Sequence, residues 1–459
     1  MPIDKFFLNL PEVRGPQQKK LSFKEKLKWT LMILIAFFVL SSIPLYGLGE
    51  NALANFHFLS VILGASFGSI LSLGIGPIVT ASIVLQLLTG SGILKLNLTT
   101  PEGRRTFQGL QKVLGIFFII FEAMIYVFMG GLAPSAGISP FVLILQLFVG
   151  GILVLYMDEV VSKWGFGSGI SLFIAANVSA QIFIRAFSPL TQAGTWAFGS
   201  GQAPVGKVLT FFLSIANQDI TGAGRALSAI LSTIVVFVAA VYVQAMKVEI
   251  PLSFGRIRGQ GIRWPLRFVY TSNIPVILIS ALIANIQLAA QLLAKWGHPI
   301  LGTFSGQSPA SGFVQFVFAP TILDNVLSGS FTSFQLVQAL TFTLFMIGGS
   351  ILFSLFWVQT SGMDAGSQAR QIMASGLQIP GFRRDERVLE RLLKRYIMPL
   401  TVMGAITVGI LAAAADLMGA LTNGTGILLT VMIIYRLYED IAKQHMMDMH
   451  PALRNMMEG

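Results

Sequence analysis

Side chains capable of covalent or metal chemistry are few in this sequence, and they do not cluster. Its 459 residues contain no cysteine, which excludes disulfides, thiolate metal sites and cysteine nucleophiles. The four histidines are scattered and form no H-E-x-x-H pair. A G-x-x-x-x-G-K-[ST] phosphate loop is also missing, so we do not expect the chain to hydrolyse ATP. The lack of paired catalytic groups predicts that the chain is not an enzyme.

Two acids, Glu122 and Asp416, lie inside or at the edge of long apolar stretches. Ionisable residues within a membrane are functional candidates, as members of a proton relay for example. Two acids are few for a proton relay. A role as a hydrogen-bonded packing residue explains the position of Glu122 equally well.

Two aliphatic pairs form the other candidate site. Ile75 and Val79 are four residues apart, as are Ile170 and Ile174, so each pair shares one helix face. Stiff aliphatic side chains arranged in a ring can close a pore by excluding water. From the spacing alone, lipid-facing or core packing is the more usual explanation of such a pair. The nearby G-x-G-x-G at 165–169 borders an apolar span rather than a βαβ unit, so it does not predict a dinucleotide site.

The elements that hold these residues follow from the composition. Hydrophobic residues make up 54% of the chain and charged residues 11%, against about 25% charged in soluble domains. This excludes an ordinary cytosolic enzyme, a disordered chain and a nucleic-acid-binding module, and it predicts a polytopic all-α membrane protein. About 20 apolar residues cross a bilayer. The predicted spans lie near 29–47, 74–94, 112–132, 140–157, 169–187, 226–246, 272–294, 334–357, 397–415 and 424–441.

The positions of the positive charges predict the orientation. With the N-terminus inside, 27 of the 31 Lys and Arg residues fall on the cytoplasmic side, as the positive-inside rule requires. We therefore expect a multi-pass protein of the cell membrane with both termini cytoplasmic. Topology accounts for the net charge of +11, and a docking surface for an RNA-rich partner is compatible with it.

Five spans precede a long external segment and five follow it, so the two halves are predicted to be inverted relative to each other. The predicted parts are a basic N-terminal segment 1–28, a first half 29–187, an external linker 188–224, a second half 225–441 and a tail 442–459. The apolar piece 51–68 is interpreted either as a short helix that re-enters the membrane or as a surface helix. Two cytoplasmic loops, 247–267 and 364–395, mix Arg with Gly and aromatic residues. That mixture favours phosphate contact, or anchoring to anionic lipid.

Several motifs together resemble the SecY family, the large channel subunit of the Sec protein translocon, in its archaeal form. The resemblance covers nearly the whole chain. The motifs that carry it lie at 23–29, 74–81, 86–88, 101–104, 167–170, 272–277, 381–383 and 424–430.

The resemblance implies ten helices in two inverted halves around an hourglass pore that opens sideways to lipid. It implies a plug helix at about 53–70 and a lateral gate between spans two and three and spans seven and eight. The implied pore ring is Ile75, Val79, Ile170, Ile174, Ile277 and Leu429. The implied polar residues of the gate are Thr80, Gln86 and Asn273. The residues implied to dock a cytoplasmic partner are Arg256, Arg258, Arg263, Arg267, Arg383, Arg384 and Arg387.

The family implies a protein-conducting channel that translocates unfolded secretory polypeptides and releases transmembrane segments into lipid. Its implied partners are a clamp subunit of the SecE or gamma type, a second small subunit of the beta type, and a ribosome or other cytoplasmic partner. RNA contact would come only through the ribosome, and no cofactor or metal is implied. The alternatives are a secondary transporter for a small solute, and an intramembrane enzyme for which we can nominate no paired catalytic groups.

Overall fold

The computed structural model describes residues 11–17, 21–51, 60, 63–94, 96, 100–191, 195–198, 202–254, 261–305, 308–374, 377–378 and 385–449. Within these residues, ten long helices form the body of the molecule. They are α1 Phe23–Ser42, α2 Gly76–Gly90, α3 Pro101–Phe128, α4 Pro140–Trp164, α5 Gly169–Phe187, α6 Ile220–Ala245, α7 Ile274–Lys295, α8 Ser333–Thr360, α9 Glu386–Leu417 and α10 Gly424–Met449.

Short strands and helices occupy the connections. The strands are β1 Leu48–Asn51, β2 Leu132–Pro134, β3 Lys247–Phe254, β4 Gly261–Arg267, β5 Thr303–Ser305, β6 Ser308–Ser311 and β7 Leu377–Gln378. They form three small sheets, with strand orders β1-β2, β4-β3-β7 and β5-β6, and the described pairings are antiparallel. Short helices cover Lys207–Ala216, Ile322–Leu327 and Ala365–Ala374, and a 3-10 turn covers Phe313–Val317. The sequence did not predict these strands.

Local sequence explains where several helices begin. Proline lies in the first turn of α2, α3, α4 and α7, where its fixed φ suits a helix and its missing N–H costs nothing. Among the described helices, seven are long and apolar enough to cross a membrane: α3 to α9. The 15-residue α2 is apolar but short, while α1 and α10 each carry several charges along part of their length.

The observed helix ends differ from the predicted spans where charged turns continue a helix. α1 begins at Phe23, within the predicted N-terminal segment, and α4 continues to Trp164 rather than ending at 157. α6 begins at Ile220, inside the predicted linker, because Asp219 caps its first turn by accepting the Gly222 N–H at 3.0 Å. α9 begins at Glu386, inside the predicted loop 364–395, and α10 runs into the predicted tail. Apolar length alone does not detect these polar turns.

The two halves have the same pattern of helix contacts. In the first half α2 packs on α3, α3 on α4, α4 on α5, and α1 on both α4 and α5. The second half repeats every one of these pairs, with α6 to α10 in place of α1 to α5. Because each half has an odd number of helices, the two are inverted relative to each other. The halves meet where α2 contacts α7 and α8, and where α5 contacts α10.

One end of the bundle, here called the hairpin face, carries the sheet β4-β3-β7 and the helix Ala365–Ala374. Buried apolar side chains from the sheet, this helix and the start of α9 form a second small core that includes Ile250, Leu266, Ile372 and Leu393. The Tyr270 hydroxyl donates to the Met363 carbonyl at 2.8 Å, and burial raises the pKa of this phenol. The loops predicted at 247–267 and 364–395 are therefore joined into one folded layer.

The N-terminal segment 11–17 lies across the same face, over the ends of α3 and α4. Lys112 donates to the Pro11 carbonyl at 2.5 Å, and Lys163 donates to Glu12 Oε1 at 2.5 Å. The Val13 N–H donates to Glu159 Oε2 at 3.0 Å, and Glu159 also pairs with Lys112. These contacts hold the segment along the bundle.

Acidification is expected to loosen this segment. The hydrogen bond from Lys163 lowers the pKa of Glu12 below its ordinary value of 4.5. Because the folded pKa is the lower one, the pair stabilises the segment above about pH 4.5 and is lost as the pH falls through the folded value. Glu12 is 67% exposed at its side chain, so we expect only about a two- to fivefold fall in the hydrogen-exchange protection factor of Val13. Lys163→Gln should show the same fall at neutral pH; equal protection in both proteins at pH 7 would contradict this role for the pair.

Candidate functional site

A cavity of about 610 Å³ runs into the bundle between the two halves. Its walls come from α2, α3, α4, α5, α7, α8 and α10. Around its mouth, on the hairpin face, lie the exposed residues Gln108, Ser361, Arg436 and Asp440. Ser82, Gln111 and Ser171 add polar groups to the wall. We call this cavity the vestibule.

Aliphatic side chains close the inner end of the vestibule. Val79 from α2, Ile170 from α5 and Ile277 from α7 all line it, so three of the six predicted ring residues meet at one surface. The other three, Ile75, Ile174 and Leu429, are at most 1% exposed and belong to the same hydrophobic cluster. The structure thus places all six in one continuous apolar region at the junction of the halves.

Irregular backbone packs directly against this apolar region. The predicted plug 53–70 is described only at residues 60 and 63–70, and its other residues lie outside the described part of the chain. Leu63, Leu71 and Leu73 are fully buried, and the Leu63 carbonyl accepts the Ile75 N–H at 2.8 Å. Asn177 of α5 donates to the Ser60 carbonyl at 3.0 Å. In the stretch 63–73, residues 63–65, 69 and 71–73 are buried, and 66–68 and 70 are half-buried, against the ring helices. This contradicts the surface-helix interpretation for 63–68, the continuously described part of the apolar piece 51–68.

Thr80, predicted as a polar gate residue, lies at the centre of a chain of hydrogen bonds across three helices. Its hydroxyl contacts Glu122 Oε1 of α3 at 3.1 Å and accepts from Asn285 Nδ2 of α7 at 2.9 Å. The chain therefore crosses between the halves where α2 and α3 meet α7. The sequence offered Glu122 as a relay or packing residue and missed Asn285, which is one of many polar residues within apolar helices.

The other two predicted gate residues lie apart from Thr80. Gln86 and Asn273 both line the vestibule and are 3% and 2% exposed. Gln86 Oε1 and Asn273 Nδ2 have no hydrogen-bond partner among the residues that the structure describes. The three predicted gate residues therefore form two groups, one between the helices and one on the vestibule wall.

The predicted docking residues differ in their surroundings. Arg256, Arg258, Arg383 and Arg384 lie outside the described residues. Arg263 is 79% exposed at its side chain and pairs with Glu249 across the hairpin at 3.1 Å. Arg267 is only 27% exposed because it pairs with Glu439 of α10, which also binds Lys247. Arg387, in the first turn of α9, is exposed.

These features define a class of protein. Two inverted helical halves enclose a vestibule with polar groups on an otherwise mostly apolar wall, which opens on one face of the bundle and ends at aliphatic side chains. A water-filled pocket closed by a hydrophobic constriction is the arrangement of a gated membrane conduit. No group of three or more His, Cys, Asp or Glu residues that could hold a metal occurs among the described residues.

Comparison with known proteins identifies the family. The SecY family model matches residues 69–438, and the model of the plug domain of Sec61p matches residues 35–68. The protein translocase subunit SecY of Methanothermobacter thermautotrophicus is 47% identical over 456 residues, covering 98% of this chain and 97% of that protein. The chain belongs to the SecY family.

Solved structures agree over almost the full length. The structure of a protein-conducting channel superposes with a TM-score of 0.84 at 40% identity, covering 97% of this chain and 98% of the other. Sec61 in the canine ribosome-channel complex from the endoplasmic reticulum superposes with a TM-score of 0.80 at 39% identity, with the same coverage. The ten-helix, two-half fold predicted from the sequence is confirmed.

Proposed function

We propose that this protein is a protein-conducting channel, the central subunit of a Sec translocon. It passes unfolded secretory polypeptides across the membrane and releases transmembrane segments sideways into lipid. The observation that carries the proposal is the vestibule closed by aliphatic side chains, with residues 63–73 packed against them. A pore for polypeptide must pass many kinds of side chain without holding any tightly, and a ring without charge suits that purpose.

The ring and the plug have separate parts in this proposal. The ring fits around a polypeptide during translocation, and its side chains meet one another when the channel is idle. Its members are Ile75, Val79, Ile170, Ile174, Ile277 and Leu429. The plug at about 53–70 supports the idle seal. In support, the described part of the plug is buried or half-buried, and it is hydrogen-bonded to Ile75 at the start of α2 and to Asn177 of α5.

The lateral gate lies between α2 and α3 on one side and α7 and α8 on the other. Thr80 with Glu122 and Asn285 holds it shut, while Gln86 and Asn273 face an incoming segment from the vestibule. A signal sequence is an apolar helix, and its burial at about 25 cal/mol per Å² of apolar surface can drive the halves apart. The contacts of α2 with α7 and α8 support this position for the gate, since they join the halves there.

The hairpin face is cytoplasmic in this proposal, and both termini lie on that side. The excess of Lys and Arg in the connections on this face supports the orientation. A ribosome or other cytoplasmic partner docks here on Arg256, Arg258, Arg263, Arg383, Arg384 and Arg387, and Arg267 holds the hairpin to α10. The similarity to Sec61 from a ribosome-channel complex supports this partner. A clamp subunit of the SecE or gamma type and a second small subunit complete the assembly.

Photocrosslinking from Ile170 tests the channel function. A photoreactive amino acid at Ile170 is placed in the complex, reconstituted in vesicles and engaged by stalled ribosomes that carry a secretory chain. We expect adducts to the nascent chain that disappear when the signal sequence is inactivated. Ile35, which is 64% exposed on α1, provides the matched control and should give no such adduct. Solute uptake by the vesicles without adducts from Ile170 would favour the small-solute transporter instead.

A further inference from the structure

An aspartate near the end of one helix caps the start of the next, and this arrangement occurs once in each half. Asp158 is half-buried on the vestibule wall, and Asp416 is buried. In the first half, Asp158 of α4 accepts the Ile170 N–H at 2.9 Å. Ser168, the residue before α5, makes no side-chain capping bond of its own. The carboxylate of α4 therefore takes the place of the usual capping side chain of α5.

The second half repeats the arrangement between α9 and α10. Asp416 Oδ1 accepts the Thr425 N–H at 2.8 Å, and the Thr425 hydroxyl hydrogen-bonds to Oδ2 of the same carboxylate. Ile170 and Thr425 are each the second residue of their helix. Since α4 corresponds to α9 and α5 to α10 in the matching contact pattern, the two caps are equivalent positions of an internal repeat.

A glycine begins each capped helix, and it permits close contact with the helix that carries the acid. A Cβ at Gly169 would lie 2.6 Å from Asp158 Cα, and a Cβ at Gly424 would lie 2.0 Å from the Ala415 carbonyl carbon. Both are closer than real side chains allow. Each helix start is thus fixed by backbone contact as well as by hydrogen bonds to a carboxylate, and an anion there also complements the helix dipole.

The capped helices carry the ring residues. Ile170 receives the Asp158 bond directly and Ile174 lies one turn further along α5, while Leu429 lies one turn beyond Thr425 on α10. We propose that Asp158 and Asp416 are paired positioning residues, which set the height of α5 and α10 in the bundle and so the closure of the ring. This proposal rests on the proposed function, because it assumes that these side chains form the constriction.

This role could not be predicted from the sequence, for a physical reason. The predicted span four ends at 157, just before Asp158, and Asp416 stands in the sequence as a single acid at the edge of a span. Different spacings of eleven and eight residues separate the acids from Gly169 and Gly424, so no repeated motif is visible. Only the packing of α4 on α5 and of α9 on α10 makes the two sites equivalent.

Alanine and asparagine variants test the proposal in the reconstituted complex. We expect Asp158→Ala and Asp416→Ala each to raise closed-channel ion conductance at least threefold, and to improve export of a substrate with a weakened signal sequence. Asparagine keeps an acceptor oxygen, so Asp158→Asn and Asp416→Asn should restore much of the closure. Glu159→Gln is the matched control, because this neighbouring acid pairs with Lys112 and Val13 rather than with α5. It should leave conductance unchanged.

A second readout does not depend on translocation. The chain has no cysteine, so Ser171→Cys places a single thiol on the vestibule wall beside Ile170. Asp158→Ala should change its labelling rate by an uncharged thiol reagent at least threefold, while Asp158→Asn and Glu159→Gln should not. An uncharged reagent is needed because Asp158 lines the same vestibule, and loss of its charge would by itself alter the rate of a charged one. A purely structural cap predicts a lower thermal midpoint with unchanged conductance and labelling in the folded complex, and that result would overturn the proposal. Should the alanine variants fail to fold, Asp158→Ser and Asp416→Ser take their place, because a serine side chain is one bond shorter and cannot reach the capped N–H groups. Closed-channel conductance equal to wild type in both serine variants would also overturn the proposal. Failure of the wild-type complex to export any secretory protein would instead count against the proposed function.

Discussion

Replacing Ile277 with aspartate is expected to raise the ion conductance of the closed channel by at least about tenfold, because a charge hydrates a constriction that aliphatic side chains keep dry. Ile277 is 5% exposed and lies at the closed end of the vestibule with Val79 and Ile170. Single-channel recording of the reconstituted complex without substrate measures the effect.

Ser361→Asp is the matched control for this prediction. Ser361 lines the same vestibule but lies exposed at its mouth, at the end of α8. The same charge added there should leave the closed conductance within about twofold of wild type, since the mouth is already hydrated. Equal conductance in both variants, whether high or low, would show that Ile277 is not part of the seal.

Gly74→Ala is expected to release the segment that packs against the ring and to destabilise the protein by about 2–4 kcal/mol. Gly74 has a φ of +54°, and a Cβ there would lie 2.2 Å from the Leu63 carbonyl oxygen. That oxygen accepts the Ile75 N–H, so the backbone at 63–65 must move away from the start of α2. The idle channel should then leak ions and accept weaker signal sequences.

Gly92→Ala is the control that separates the cost of the left-handed backbone conformation from the steric clash between a Cβ at Gly74 and the Leu63 carbonyl oxygen. Gly92 has a φ of +76°, but a Cβ there would have no atom within 4 Å. Gly92→Ala should therefore lower the free energy of unfolding by about 1–2 kcal/mol, from the left-handed conformation alone, and should not increase the ion leak of the idle channel. Thermal denaturation of the purified complex and conductance of the same samples distinguish the two variants. If Gly92→Ala leaks ions as much as Gly74→Ala does, then backbone strain at either end of α2, rather than the contact with Leu63, opens the channel.

The general architecture could be read from the sequence because a bilayer imposes it. Long apolar stretches locate helices, and positive charges between them indicate orientation, whatever the tertiary contacts. The helix ends could not be read in the same way. α6 begins at Ile220 because Asp219 caps it, and α4 continues through Asp158 to Trp164, although hydropathy falls in both places.

The positions of site residues could be predicted only where the spacing along a single helix determines them. Ile170 and Ile174 share a face through their spacing, and the structure places both in the apolar region between the halves. The polar partners depend on several helices. Thr80 bonds to Asn285, which lies 205 residues away, and no local pattern indicates that contact. Arg267 likewise looks like an exposed docking residue until Glu439 of α10 is placed beside it.

The vestibule has an electrical consequence. Its volume of about 610 Å³ has room for roughly 20 water molecules at about 30 Å³ each. Water and ions that enter from the mouth carry the potential of the hairpin side down to Val79, Ile170 and Ile277. The membrane voltage then falls only across the part of the protein between the closed end of the vestibule and the opposite side of the membrane. The electric field is therefore steepest at the ring.

A charged side chain in transit therefore meets most of the membrane voltage in one short step past the ring. That step is worth about 2.3 kcal/mol per charge for each 100 mV. With the cytoplasm negative, lysine and arginine are held back on the way out and aspartate and glutamate are drawn forward. An aqueous vestibule that ends at a seal thus makes the speed of export depend on the sign of each charge that passes.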